Sequence, residues 1–243
     1  MEKPKVVPGD VLATLRNCGG VYECPMDEQG PLTPPVGYAG QYEVDGKLLN
    51  YVGFVYYNVA QGDQWPHIAR HWATLHAERF LVAPPDLLVA APMGGVSYMS
   101  VLKQHLGCRG IFAEKKVTKA AEPNRREESR LILGRYDVCA GDRIVIIEDI
   151  VNNYSTTKQM IELVEAAGGT VTGIACVINR SDQTVYQMDG HQPIAVISLL
   201  HKPTPQYRQD HPAVAEHIAA GNVVMKPKER WDELMAKEAA ART

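Results

Sequence analysis

Apolar positions in the middle of the chain follow two rhythms that alternate along it. Residues 87–91, 110–113, 143–147, 171–178 and 194–200 form short, nearly continuous apolar runs. Runs of that length and density predict strands buried on both faces. Residues 96–106 and 156–167 instead place apolar side chains at helical spacing, as do residues 66–80, with proline in the first turn. This alternation predicts an α/β fold, a mainly parallel sheet flanked by helices. Outside the middle, residues 10–18 read as a short amphipathic helix, and the Pro- and Gly-rich stretch 25–40 as mostly loop. Residues 41–58 are aromatic and β-branched around Asp45-Gly46, a pattern of antiparallel strands. A charged helix over 228–242 ends the chain. The expected organisation is an N-terminal part over 1–80, a core over 81–202 and a C-terminal extension over 203–243 packed on the core.

With 243 residues and 45% apolar content, the chain can bury a substantial core. The sequence shows no internal repeat or low-complexity block. A net charge of -3, with basic residues clustered only locally, argues against general nucleic-acid binding. No apolar run is long enough to span a bilayer, and the first residues carry no apolar signal region, so the expectation is a cytoplasmic protein with no membrane partner. Five cysteines (Cys18, Cys24, Cys108, Cys139, Cys176) are odd in number and lack paired metal spacing, which suits reduced thiols. Cys176 falls in a strand-like run and reads as core.

The chemistry concentrates in residues 143–157. An apolar run meets Glu148 and Asp149, then the polar turn Asn152-Asn153-Tyr154-Ser155-Thr156, then a helical pattern stopped by Gly168-Gly169. In an open parallel sheet, ligands sit beyond the carboxyl ends of the strands, and a helix start offers N–H groups to phosphate. Glu148 and Asp149 then stand where sugar hydroxyls or Mg2+ would lie. The bland alternative is an ordinary strand-to-helix turn with Ser155 or Thr156 as its cap. A second tip, Pro92-Met93-Gly94-Gly95, lets backbone approach a ligand closely and leads into another helix. A third segment, 112–130, is densely charged, carries Lys115, Lys116, Lys119, Arg125, Arg126 and Arg130, and is long for a plain connection, so it reads as a mobile lid.

The acidic pair and the turn after it resemble the phosphoribosyl pyrophosphate signature of the type I phosphoribosyltransferases. In that signature an acidic pair and two further residues precede Thr-Thr-Gly-Gly-Ser. Both glycines are missing here, replaced by Tyr154 and Ser155, and Tyr154 tolerates positive φ poorly, so its ring must be directed away from the loop. The tip at 92–95 is similar to the Gly-x-x-x-Gly-Gly loop of orotate phosphoribosyltransferases, and Lys115 matches the lysine at the end of their lid-bearing strand. Lys116 and Lys119 are weaker matches. Asp45-Gly-Lys47 with Tyr56-Tyr-Asn58 is similar to the N-terminal hood of that family, and Tyr207, Gly221 and Lys226-Pro227 to one of its C-terminal branches, with His211 and Val214 in place of two cysteines.

The resemblance implies transfer of ribose 5-phosphate from phosphoribosyl pyrophosphate to orotate, giving orotidine 5'-phosphate and pyrophosphate, with Mg2+ as cofactor and a homodimer as the assembly. By it, Glu148 and Asp149 hold the ribose hydroxyls and, with substrate, the metal. Asn152, Asn153, Tyr154, Ser155 and Thr156 wrap the 5-phosphate, and Met93, Gly94 and Gly95 contact pyrophosphate and base. Lys115, Lys116, Lys119 and Asp149 are the catalytic candidates. Two alternatives stay open. One is a phosphoribosyltransferase for another nucleobase. The other is a catalytically degenerate, ligand-binding or regulatory protein, motivated by the missing glycines. His67 and His71 stand four apart on an expected helix, with His76 nearby, a spacing that can bind Zn2+, but no third ligand is evident, and packing is the favoured role. The same holds for Asp210, His211 and His217. No Gly-x-Ser-x-Gly elbow is present.

Overall fold

A computed structural model describes residues 2–28, 30–119 and 128–242. The chain forms two compact units, residues 1–62 with 204–243, and residues 63–203. Helix 66–79 thus joins the later unit, and the C-terminal stretch clusters with the N-terminal one, where the sequence suggested divisions after 80 and 202.

In the first unit, Asp10 caps α1 (Val11–Asn17) by accepting from the Ala13 N–H at 2.8 Å. Short strands follow: β1 (Val21–Glu23), β2 (Met26–Asp27) and β3 (Gly30–Pro31), then β4 (Val36–Val44), β5 (Lys47–Gly53) and β6 (Val55–Tyr57). β4 and β5 pair antiparallel through Asp45 and Gly46, both at positive φ (49° and 74°), as the Asp-Gly turn requires. The stretch 25–40, read as mostly loop, gives its last five residues to β4. Long-range pairing overrides composition there: the Gly37 N–H donates to the Val224 carbonyl at 2.9 Å, and Val224 N–H to Pro35 at 3.0 Å. Gly37 is needed because a Cβ would meet the Met225 backbone at 2.8 Å. Tyr22, Tyr38, Val224, Trp231 and Leu234 make this unit's core, with the Trp231 indole N–H on the Gly19 carbonyl. Residues 228–242 begin as a 3-10 turn, and the α-helix proper is Trp231–Ala241.

After the single turn α2 (Ala60–Asp63), the second unit runs α3 (Pro66–Arg79), β7 (Leu87–Ala90), α4 (Gly94–Leu106), β8 (Arg109–Phe112), β9 (Glu114–Lys119), β10 (Glu128–Ile132), β11 (Arg143–Val151), α5 (Ser155–Ala166), β12 (Thr170–Asn179), β13 (Val185–Tyr186) and β14 (Ile194–His201). The six-stranded sheet has the order β13-β14-β12-β11-β7-β8 and is parallel except for β13. The apolar runs are continuous because both faces are covered: Leu87, Val89, Ile144, Ile146, Ile174 and Cys176 are buried with Ile161 and Val164 of α5. Segment 112–130, expected as a mobile lid loop, is paired at both described ends, where β9 and β10 run antiparallel; its residues 120–127 lie outside the described residues.

His76 ties α3 to the rest of this unit. Its Nε2 lies 3.0 Å from the Ile197 carbonyl and its Nδ1 2.5 Å from the Tyr98 hydroxyl. A carbonyl only accepts, so Nε2 carries the proton and Nδ1 accepts from Tyr98. Burial pushes the imidazole pKa down to about 3. His76 is therefore a neutral core residue, and among the described residues no group of three or more His, Cys, Asp or Glu could hold a metal. His211 instead caps the helix Pro212–Ala219, and the His217 ring lies 3.1 Å from the Asn222 amide. All five cysteines are free thiols.

Strand order locates the crevice. From β7 the chain passes through α4 outward to β8, then returns across β7 to lay down β11 on its other side. Such a reversal opens a cleft at the carboxyl ends of the two central strands. β11 stays paired to β12 as far as Val151↔Asn179, but to β7 only as far as Ile147↔Ala90. Residues 148–151 therefore run on past the end of β7, beside the turn that follows it.

Candidate active site at the sheet reversal

The two tips singled out in the sequence flank this one cleft. On the β7 side the chain turns at 91–95, where the Ala91 N–H holds the Ile147 carbonyl at 2.9 Å and the Pro92–Met93 peptide is cis. Met93 is exposed, and α4 begins at Gly94 with no side-chain cap; the Gly95 N–H donates to the Ala91 carbonyl and the Val96 N–H to the Met93 carbonyl, both at 3.2 Å. A Cβ on Gly94 would collide with the Asp149 carboxylate, and one on Gly95 with the Ile147 carbonyl. Both positions are thus glycine because of space, and Asp149 lies directly over the start of α4.

Glu148 and Asp149, adjacent in a strand, have different surroundings. Glu148 is only 9% exposed, its Oε1 lies 3.4 Å from the Thr157 hydroxyl, and burial, reinforced by the negative charge of Asp149, raises its pKa to about 8. Asp149 is half-buried and accepts from the Ile150 N–H at 2.9 Å. Asp63 belongs to the same neighbourhood: burial raises its pKa against a hydrogen bond from Ser97, and the charge of Asp149 raises it further.

In the loop after β11, Asn153 is exposed and its Oδ1 accepts from the Ser155 hydroxyl at 3.0 Å and the Ser155 N–H at 3.3 Å. The first helical bond of α5 runs from Lys158 N–H to the Tyr154 carbonyl, so the N–H groups of Ser155, Thr156 and Thr157 precede it. Asn152 and Thr156 are half-buried at the loop's two ends. Tyr154 has φ 58° and ψ 10°, and its ring is buried in the sheet's core cluster, as its bulk requires. It offers a ligand its backbone only.

The basic candidates separate. Lys115 and Lys116 are exposed neighbours in β9 and so point to opposite faces, Lys115 opposite Leu131 and Lys116 opposite Arg130. Lys119 ends β9 and its side chain lies outside the described residues, as do Arg125 and Arg126.

Sequence reasoning missed Asp63 and Arg180, and gave Thr157 a hydroxyl at the helix start but no contact with Glu148. Thr157 is buried one position beyond the expected loop. Asp63 closes α2, far away in sequence, and nothing local marks it. Arg180 is 6% exposed, follows the end of β12, and its N–H holds the Val151 carbonyl at 2.9 Å. It is the one buried arginine among the described residues. An arginine just after a predicted core strand was the available signal.

A carboxylate pair at a strand end, facing a glycine turn and two helix starts, suits a ligand that joins hydroxyls to phosphates. Consistent with this, the family model of the phosphoribosyl transferase domain matches residues 58–190, more than half of the chain. The chain belongs to this family. Among curated phosphoribosyltransferases it is 28% identical to the orotate phosphoribosyltransferase of Caldanaerobacter subterraneus over 52% of this chain and 62% of that one. It is also 28% identical to the orotate phosphoribosyltransferase of Chlorobium phaeobacteroides over 47% and 53%. The chain thus spans less than two thirds of the length of these relatives. Among solved structures, the adenine phosphoribosyltransferase of Thermoanaerobacter pseudethanolicus superposes with a TM-score of 0.51 at 22% identity, covering 61% of this chain and 89% of that one. That of Trypanosoma brucei, in complex with AMP, pyrophosphate and ribose-5-phosphate, gives 0.50 at 16%, covering 72% and 82%. These likenesses establish the type I phosphoribosyltransferase fold. No helix among the described residues is long and apolar enough to cross a membrane.

A phosphoribosyltransferase is expected to use Mg2+. The residues present fit that cation in one way: Glu148 and Asp149 supply hard oxygen donors, and among the described residues no group of three or more His, Cys, Asp or Glu completes a cage. Mg2+ commonly takes one or two carboxylates and completes its shell with water and substrate phosphate oxygens.

Proposed function

We propose that the protein transfers ribose 5-phosphate from phosphoribosyl pyrophosphate to orotate. The observation that carries the reading is the Glu148-Asp149 pair at the sheet reversal, set between the Gly94-Gly95 turn and the 152–156 loop. Glu148 and Asp149 accept from the ribose 2- and 3-hydroxyls. The 5-phosphate lies on the N–H groups at the start of α5, with the hydroxyls of Ser155 and Thr156 and the amides of Asn152 and Asn153 around it. The pyrophosphate lies on the start of α4 at Met93, Gly94 and Gly95. In the reaction the bond from C1 to the pyrophosphate oxygen breaks, its electrons leaving with pyrophosphate. The ring nitrogen of the base forms the new bond to C1 and gives up its proton. Glu148 and Asp149 would hold Mg2+, which would supply positive charge for the departing pyrophosphate, and Lys115, Lys116 and Lys119 are the candidates to supplement it. The carboxylates hold the sugar as positive charge grows on it.

Arg180 favours orotate over adenine as the acceptor. Arg180 is buried, its backbone N–H bonds the Val151 carbonyl at the end of β11, and a guanidinium carried at that position matches the carboxylate that orotate carries and adenine lacks. The second reading, binding without turnover, is favoured by one feature, the glycine-free loop. Pyrophosphate release from phosphoribosyl pyrophosphate and Mg2+, followed with orotate and with a panel of purine bases, tests both. Orotate-dependent release that Asp149→Asn abolishes and Arg180→Met selectively weakens is expected. Release with adenine alone would overturn the choice of base, and silence with every base, with binding retained, would favour the regulatory reading.

A further inference from the structure

The glycine-free loop has its own means of support, and this inference rests on the reading that residues 152–156 hold the ribose 5-phosphate. A loop that turns its N–H groups onto phosphate commonly uses glycine where the backbone becomes left-handed. Here Tyr154 takes that conformation, and a bulky residue persists in it only where its surroundings over-determine it. The surroundings are specific. The Tyr154 ring stacks on Tyr186 with centroids 4.5 Å apart and planes 21° apart. Its hydroxyl lies 2.9 Å from the Ser181 hydroxyl. Ser181 in turn lies 2.7 Å from Oδ1 of Asn179, which also accepts the Ser181 N–H at 3.0 Å. The Asn179 amide donates to the Gln183 carbonyl at 2.7 Å, and the Gln183 N–H returns to the Ser181 hydroxyl at 3.2 Å.

Asn179 Oδ1 can only accept, so Ser181 donates to it, and the Tyr154 hydroxyl, which lies within reach of both the Ser181 hydroxyl and the Gln183 carbonyl at 3.2 Å, is held by the same turn through two of its atoms. Asn179 is fully buried, so the turn that receives Tyr154 is itself fixed. That turn also carries Arg180.

We propose that Tyr154 is a positioning residue whose buried ring and hydroxyl fasten the phosphate loop to the 179–183 turn, taking over the role that glycine conformation plays in such loops. It touches no substrate, and acts by holding the inward N–H groups of the loop in place.

The test is calorimetric titration of the full chain with ribose 5-phosphate, and separately with pyrophosphate, for the unaltered protein, Tyr154→Phe, Ser181→Ala and the double variant. Tyr154→Phe keeps the ring stack, so the fold has its packing; should that variant fail to fold, Ser181→Ala removes the same bond from the other side. Each single variant is expected to weaken ribose 5-phosphate binding about fivefold, the worth of one buried hydrogen bond. The double variant should lose less than the two single losses combined, because the Tyr154–Ser181 contact is common to both, while Tyr154→Phe also gives up the Gln183 carbonyl and Ser181→Ala the bond to Asn179. Pyrophosphate affinity should not change, since a loosened fold would weaken both ligands and a loosened loop only one. Variants that bind ribose 5-phosphate as tightly as the unaltered protein, or that lose both ligands equally, overturn this inference alone. Failure of the unaltered protein to bind ribose 5-phosphate overturns it together with the functional reading.

Discussion

The carboxylate of Asp149 lies against the Cα of Gly94, so that the end of β11 and the start of α4 are in contact where no side chain can come between them. Gly94→Ala forces one of the two to move. Because Asp149 is the group proposed to hold the sugar, a displacement of even about 1 Å is expected to lower kcat/KM by about a hundredfold. Thermal stability should fall less, since the start of α4 is exposed at Gly94 and can shift outward. A variant with normal turnover would show that the contact has no functional weight.

Glu148 is held mostly neutral near pH 7, because burial and Asp149 together raise its pKa to about 8. A neutral isostere should therefore fit in its place. Glu148→Gln is expected to leave the melting temperature at pH 7 within about 2 °C of the unaltered protein. Phosphoribosyl pyrophosphate affinity should nonetheless fall by about tenfold or more, as donation from the ribose hydroxyls favours the ionised carboxylate of Glu148, a form that Gln cannot take. A large loss of stability with unchanged affinity would make Glu148 a structural residue.

Lys115 and Lys116, of which the sequence resemblance favours the first, lie on opposite faces of β9. Lys115 shares its face with Leu131, which packs against the sheet's core cluster, and Lys116 shares the other with Arg130. Only the first face turns towards the sheet. Lys115→Met is expected to weaken pyrophosphate binding severalfold, by the order of one charge-assisted hydrogen bond, while Lys116→Met leaves it nearly unchanged. Isothermal titration of both variants decides it; equal losses would mean that β9 does not sort the two lysines.

What could be read from the sequence divides along physical lines. Strands β7, β11, β12 and β14 and helices α3, α4 and α5 were legible because a strand buried on both faces must be apolar throughout, and a helix on its surface must be striped. β9 and β10 were not, because their pairing rests on backbone hydrogen bonds between charged segments with no apolar alternation. β4 began earlier than composition implied, since Gly37 is claimed by Val224 from the far end of the chain. In the site, Glu148, Asp149 and the glycine turn were visible as local patterns. Arg180, Thr157 and Asp63 act through burial and through neighbours distant in sequence, which spacing along one chain does not encode. The inward course of the Tyr154 ring was legible in part: its bulk predicted the direction, but not Ser181 and Tyr186 as the partners.

His76 makes stability depend on pH with a definite sign. Its folded pKa is near 3, below the ordinary value of 6.5, because burial disfavours the charged ring. Between those values the unfolded chain binds a proton that the folded one does not, so stability rises with pH there. The contribution is complete above about pH 6.5 and is lost as pH falls towards 3, at a limiting slope of about 1.4 kcal/mol per pH unit. His76→Gln cannot titrate, and its amide offers both a donor for the Ile197 carbonyl and an acceptor for the Tyr98 hydroxyl. Urea denaturation at several pH values between 7.5 and 4.5 should therefore show a shallower loss of stability in the variant than in the unaltered protein. Parallel curves would place the acid sensitivity elsewhere and imply that the imidazole can be protonated without opening the α3–α4 contact.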